Sequence, residues 1–198
     1  MVGGIGYHLG VRTETADLRA LIGRLRPMNG GFDLIRLGPD GDGGYLVPDD
    51  LAGIDYAFSP GVSTVSGFEA DLAARGMQVF LADFSVDRPA QANPRFVFDK
   101  KYVGCLSDET FITLSDWKNA RIPEHTGDLL LQMDIEGAEY ETLLAAPAEL
   151  LAQFRIMVIE FHSLNELFSR PFFEVASRAF HKLLMTHSVV HVLSLIHI

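Results

Sequence analysis

Cysteine is almost missing. Cys105 is the only one in 198 residues, so no disulfide can close within the chain, and a reducing compartment suits it. Basic residues are scarce as well: 16 Lys and Arg stand against 26 Asp and Glu, a formal net charge of -10. Such a chain repels phosphate backbones, and its only adjacent basic pair is Lys100–Lys101, so nucleic acid is not expected as a partner. No apolar run reaches the roughly 20 residues that span a bilayer. The opening Met1-Val2-Gly3-Gly4-Ile5-Gly6 also lacks the basic start and apolar stretch of a secretion signal. No membrane partner and a cytoplasmic location are the expectations. His181, His187, His191 and His197 have no carboxylate or thiolate at ligand spacing, so no metal site is read among them. Repeats and low-complexity tracts are missing too.

What is present is an ordinary folding composition, 48% apolar and 21% charged, at a length that suits one domain. Thr13 to about Arg26 reads as a first helix, capped by Thr13 and striped with Leu18, Leu21, Ile22 and Leu25. Thereafter short apolar runs alternate with helical patterns. The runs are Ile54–Ser59, Val79–Asp83, Phe96–Phe98, Leu129–Asp134, Ile156–Phe161 and Ser188–Leu193. Between them, Ser66-Gly67-Phe68-Glu69 reads as a capping box with Gly76 as the stop. Ser115-Asp116-Trp117 opens another helix, Glu139–Leu144 a third, and Ser169-Arg170-Pro171 a last one. This beat predicts an α/β, Rossmann-like, mostly parallel doubly wound sheet. A single domain is expected, with residues 1–36 as an N-terminal helical extension and 37–193 as the core. Residues 194–198 read either as a tail that is not native to the gene or as part of a natural C-terminal strand.

In such sheets ligands bind beyond the carboxyl ends of the strands, so those ends hold the candidates. After the first long run comes Pro60-Gly61-Val62-Ser63-Thr64-Val65-Ser66, where Gly61 permits a sharp turn and the approach of a ligand. Asp83 ends the next run, 22 residues after Gly61, the place from which nucleotide-binding folds hold ribose hydroxyls. A dinucleotide site wants Gly-x-Gly-x-x-Gly; here Ser63 and Ser66 replace the two later glycines. S-adenosylmethionine carries no pyrophosphate, and its sulfonium and ammonium suit an acidic pocket, so the methyl donor is the better fit. Further on, Asp134-Ile135-Glu136-Gly137-Ala138-Glu139 crowds three carboxylates past an apolar run, which is costly unless a cation or donor sits among them. Asp134 faces the cleft in this reading. Glu136 is either ligand-facing or a helix-end charge, and Glu139 favours the helix start. Alternation places Glu160 and His162 on one face, with His162 as a base oriented by Glu160. Upstream, Gly43-Gly44-Tyr45 is either a plain hairpin or a turn that lays Tyr45 over a ligand.

The run Leu131-Gln132-Met133-Asp134-Ile135-Glu136-Gly137-Ala138-Glu139 resembles the K-x-D-[IV]-E-G-A-E signature of FkbM-type methyltransferases, with Gln132 where lysine is common. Phe80-Leu81-Ala82-Asp83-Phe84-Ser85, Thr113-Leu114-Ser115-Asp116-Trp117, Ile159-Glu160-Phe161-His162 and Asp42-Gly43-Gly44-Tyr45 are similar to further motifs of that family, in the expected order. The resemblance implies a class I, S-adenosylmethionine-dependent fold acting on an oxygen of a sugar or other small metabolite. It implies Gly61 and Asp83 as cofactor residues and Asp134 near the methionine moiety or the substrate. It also implies a sheet that continues beyond the point where this chain stops, so truncation before the final strand is expected. The cofactor set is therefore Gly44, Tyr45, Gly61, Ser63, Asp83 and Asp134, and the catalytic set Asp134, Glu160 and His162. Three alternatives stay open. They are a nicotinamide-dependent oxidoreductase, a truncated ligand-binding domain without turnover, and a divalent-cation site of Asp134, Glu136 and Glu160.

Overall fold

The computed structural model describes residues 11–62 and 64–193. A helix α1 (Thr15–Arg24) leads into a hairpin of β1 (Leu34–Leu37) and β2 (Tyr45–Pro48), paired antiparallel. The core follows as β3 (Tyr56–Pro60), α2 (Gly67–Ala74), β4 (Gln78–Ala82) and β5 (Phe96–Asp99). A small two-stranded unit, β6 (Tyr102–Gly104) and β7 (Phe111–Thr113), precedes α3 (Leu114–Arg121). Then come β8 (Leu129–Met133), α4 (Glu139–Ala145), α5 (Ala148–Gln153), β9 (Phe154–Ile159) and α6 (Arg170–Leu183), the last preceded by one 3-10 turn over Leu164–Phe168.

Five strands form one parallel sheet in the order β5-β4-β3-β8-β9. Its residues are apolar on both sides because both sides are covered. Phe58, Phe80, Leu129 and Leu131 face a core shared with α1, α3, α4 and α6, whereas Ala57, Val79, Leu81 and Leu130 face α2 and the hairpin. Phe58 packs edge-on against Trp117 at 4.9 Å, and Trp117 Nε1 donates to Asp99 at 2.8 Å, which fixes α3 over β5. The order reverses at β3, with β4 on one side and β8 on the other. That junction is the topological switch point, the place in such sheets beyond whose carboxyl ends ligands bind.

Three local expectations are corrected. Thr13 does not cap α1: Glu14 holds the cap position, and the buried Thr13 Oγ1 finds no hydrogen-bond partner among the described residues. Ser66 makes no side-chain cap to α2, and Glu69 does not close a capping box, because its carboxyl turns inward to Ser59. The helix stop is as expected, with Gly76 N–H donating to the Ala73 carbonyl and Met77 N–H to that of Leu72. Third, residues 188–193 form no strand. The segment crosses to the N-terminal side, where Met28 N–H donates to the Val189 carbonyl at 2.8 Å, and it gains no ladder. The expected tail at 194–198 lies outside the described residues. No helix among the described residues is long and apolar enough to cross a membrane.

Candidate functional site

Gly61 stands at the switch point, where the end of β3 is bonded to both its neighbours. Its N–H donates to the Ala82 carbonyl at 2.9 Å, while Asp134 N–H donates to the Pro60 carbonyl at 3.2 Å. Its φ is +86°, and a Cβ there would lie 1.5 Å from the Asp134 carbonyl oxygen. The glycine is thus demanded by the backbone of β8's end, a stronger constraint than the approach of a ligand read from sequence. Gly44 is similarly hemmed in: a Cβ would meet the Pro39 carbonyl oxygen at 1.8 Å, and Arg36 Nη1 bonds the Gly44 carbonyl at 3.2 Å. Its structural task is to close the hairpin. Ser63 lies outside the described residues.

Asp83 sits where the sequence put it, just past β4 and buried. Its Oδ1 accepts from Ser85 N–H at 2.8 Å and from Ser85 Oγ at 2.7 Å, so the following turn fixes the carboxylate at the sheet edge.

Across Gly61 the ends of β8 and β9 bring the other candidates together. Past β8, the chain turns through Glu136 at φ +57° and Gly137 at φ +103° before α4 begins. The left-handed turn throws the Glu136 carboxylate outward, 88% exposed yet 3.5 Å from His162 Nε2, so it is no helix cap. Glu139, the first residue of α4, is fully buried and turns back into the loop. Its Oε1 accepts from Ile135 N–H at 3.2 Å and Gly137 N–H at 3.0 Å, and lies 2.9 Å from His162 Nδ1. With two backbone donors and Nδ1 gathered on one carboxylate oxygen, Nδ1–H is the donor to Glu139, which leaves Nε2 as the ring nitrogen turned toward Asp134 and Glu136.

This corrects one expected role. Glu160 does not orient His162; Glu139 does. Strand β9 ends at Ile159, so the alternation that paired Glu160 with His162 no longer applies to either. Glu160 instead acts on Asp134 and on the Tyr45 hydroxyl. The His162 backbone is held separately, by Tyr140 Oη donating to its carbonyl at 2.7 Å.

His162 Nε2 faces Asp134 Oδ1 at 3.7 Å. That oxygen is buried without a hydrogen-bond partner among the described residues. Burial, then Glu160, pushes the Asp134 carboxyl up to about 6, against a smaller opposing pull from His162. Burial presses the His162 imidazole downward, but its bond to Glu139 and the charges of Glu139, Asp134 and Glu136 outweigh this and raise it above its ordinary 6.5. Tyr45 reaches the same cluster from the hairpin. It hydrogen-bonds Gln132, and burial followed by Asp134 and Glu160 holds its hydroxyl firmly protonated.

Asp134, Glu136 and His162 offer ligand atoms within 4.8 Å of one another, a set that a divalent cation can bridge. His162 takes the place that the sequence gave Glu160 in that alternative. The cluster as a whole carries an excess of carboxylates around one histidine, and the Asp134 oxygen that faces it makes no hydrogen bond among the described residues.

Two contributors escaped the sequence reading. Glu139 looked like a helix-start charge, although its place 23 residues from His162 hides no signal that would pair them. Gln132 stood out only as a departure from the signature's lysine, and its burial inside β8 is seen in the structure alone.

Residues 108–187 match the family described as Methyltransferase FkbM domain. No curated protein and no solved structure matches the chain.

Proposed function

We propose that the chain, whose residues 108–187 match the methyltransferase FkbM domain, moves the methyl group of S-adenosylmethionine onto a hydroxyl of a small molecule, such as a sugar or secondary metabolite. The observation that carries this reading is the Glu139–His162 pair, whose free Nε2 faces the carboxylates at the end of β8. The residues present fit the donor. Asp134 and Glu160 supply negative charge for its cationic groups, and the unpaired Asp134 oxygen has an acceptor site to fill. Asp83 supplies a fixed carboxylate for ribose hydroxyls, and Tyr45 a protonated hydroxyl at the rim. When bound, the donor supplies an electrophilic methyl carbon on a positively charged sulfur.

The chain's part is to align and to remove a proton. With the donor held by Asp83, Asp134, Glu160 and Tyr45, a new C–O bond to the acceptor would replace the C–S bond, and the electron pair would stay on sulfur. His162 Nε2 takes the hydroxyl proton, and Glu139 stabilises the imidazolium that results. A neighbouring positive charge favours the neutral, proton-accepting form of His162, which its carboxylate partners otherwise disfavour. Positioning and exclusion of water account for most of the acceleration in such a transfer.

Calorimetric titration with S-adenosylmethionine and, separately, with a nicotinamide dinucleotide tests the cofactor. Transfer from a labelled donor to a panel of hydroxyl acceptors tests the reaction. Heat with the dinucleotide alone would replace this reading by an oxidoreductase. Donor binding without transfer to any acceptor would leave a ligand-binding domain. A cytoplasmic setting and a small-molecule acceptor complete the proposal, on the strength of the acidic charge and the single cysteine.

A further inference from the structure

A buried chain of polar side chains lies beneath the carboxylates, and the proposed reaction does not use it. Ser59 on β3 is fully buried. Its Oγ lies 2.6 Å from Glu69 Oε1 on α2 and 2.6 Å from Gln132 Oε1 on β8. Gln132 in turn bonds the Tyr45 hydroxyl, on which the charges of Asp134 and Glu160 act. A serine hydroxyl has one proton to give, and both its neighbours present oxygen. With the Gln132 oxygen placed toward Ser59, one of those two oxygens carries a proton of its own. The Gln132 carbonyl oxygen cannot, which leaves Glu69.

Burial supports the same assignment. Glu69 and Gln132 are each 4% exposed. Among the described residues no cation acts on Glu69; its carboxyl feels burial first, then the Ser59 bond, then its own backbone N–H, and is pushed upward. An ionised carboxylate there would be a buried charge without a counter-ion, the costliest form available to it.

We propose that Glu69 is a positioning residue held as the neutral acid, whose proton sets the direction of every hydrogen bond leading to the site. Glu69 donates to Ser59, and Ser59 donates to the Gln132 carbonyl. The Gln132 amide then donates to the Tyr45 oxygen, and Tyr45 is left to give its own proton toward Asp134 and Glu160. With Glu69 ionised, Ser59 would donate to Glu69 instead. The Gln132 amide would turn over to satisfy Ser59, and its oxygen would capture the Tyr45 proton. The Tyr45 hydroxyl would then turn its proton away from the charges of Asp134 and Glu160, beside the place where the proposed methyl donor binds. Only that last consequence rests on the proposed function; the protonation and bond order do not.

The test uses the whole chain and two pairs of variants. Glu69→Gln keeps a neutral group that donates to Ser59, whereas Glu69→Met matches its length without a donor; Ser59→Ala removes the relay alone. Infrared spectra at neutral pH should show a protonated-carboxyl band that disappears in Glu69→Gln. The ζ-carbon resonance of labelled Tyr45, assigned with Tyr45→Phe, should stay in place in Glu69→Gln and move in Glu69→Met and Ser59→Ala. If Glu69→Met fails to fold, Ser59→Ala decides the point. Affinity for S-adenosylmethionine should hold in Glu69→Gln and fall about tenfold in Ser59→Ala, the effect of one disordered hydrogen bond. A wild-type spectrum without that band, or a Tyr45 resonance that moves equally in all the variants, would overturn the inference. A wild type that binds no donor would sink the proposed function, while the two spectra would still decide this one.

Discussion

Glu139 Oε1 lies 2.9 Å from His162 Nδ1, joining the first residue of α4 to the loop after β9. The bond assigns the proton to Nδ1 and turns Nε2 toward the carboxylates, so the pair decides what His162 can do.

Replacing His162 by Ala should lower turnover by about 10²–10⁴-fold and leave donor affinity nearly intact. Glu139→Ala should reproduce most of that loss, and the rate in wild type should rise with pH through the His162 pKa, which stands above 6.5. The sign follows from the role: only the deprotonated ring accepts. Steady-state rates across pH, with calorimetry for affinity, check both. Equal losses of rate and affinity would make the pair structural.

Asp134 titrates near 6 because it is half-buried and close to Glu160. Its folded value lies above its unfolded one, so it favours the fold at low pH, and that contribution is lost as pH rises through about 6. Asp134→Asn should therefore raise the melting temperature by a few degrees above neutral pH and have no such effect below the ordinary carboxylate range. Thermal unfolding at both pH values reads it.

Gly61→Ala should destabilise the chain by about 3 kcal/mol or more, since strain at positive φ adds to a clash with the Asp134 carbonyl. Denaturant unfolding measures this. A loss under about 0.5 kcal/mol would show that the ends of β3 and β8 can part freely.

Asp83→Ala should weaken binding of S-adenosylmethionine by roughly 1–3 kcal/mol, the worth of lost charge-assisted hydrogen bonds. Calorimetric titration gives the value directly. Unchanged affinity would remove Asp83 from the site.

A chelator should leave methyl transfer unaltered, because a nitrogen that takes the acceptor's proton cannot also ligate a metal. Activity lost to chelation and restored by magnesium would give the work to a cation held by Asp134, Glu136 and His162.

The amino-acid sequence determined whatever depends on local pattern. Runs such as Leu129–Asp134 and Val79–Asp83 announced parallel strands covered on both sides, and the strands they become, Leu129–Met133 and Gln78–Ala82, are buried throughout or nearly so. Their ends then located Asp83 and Asp134 without any knowledge of distance. Tertiary structure decided what depends on through-space proximity. Glu139 meets His162 across 23 residues, and Tyr45 meets Gln132 across 87. Whether Ser188–Leu193 forms a strand depends on an available neighbour, and it finds none among the described residues. Periodicity tells which face a side chain takes; only the packed chain tells what waits there, because hydrogen bonds and charge interactions act over a few ångströms of space and carry no trace along the sequence.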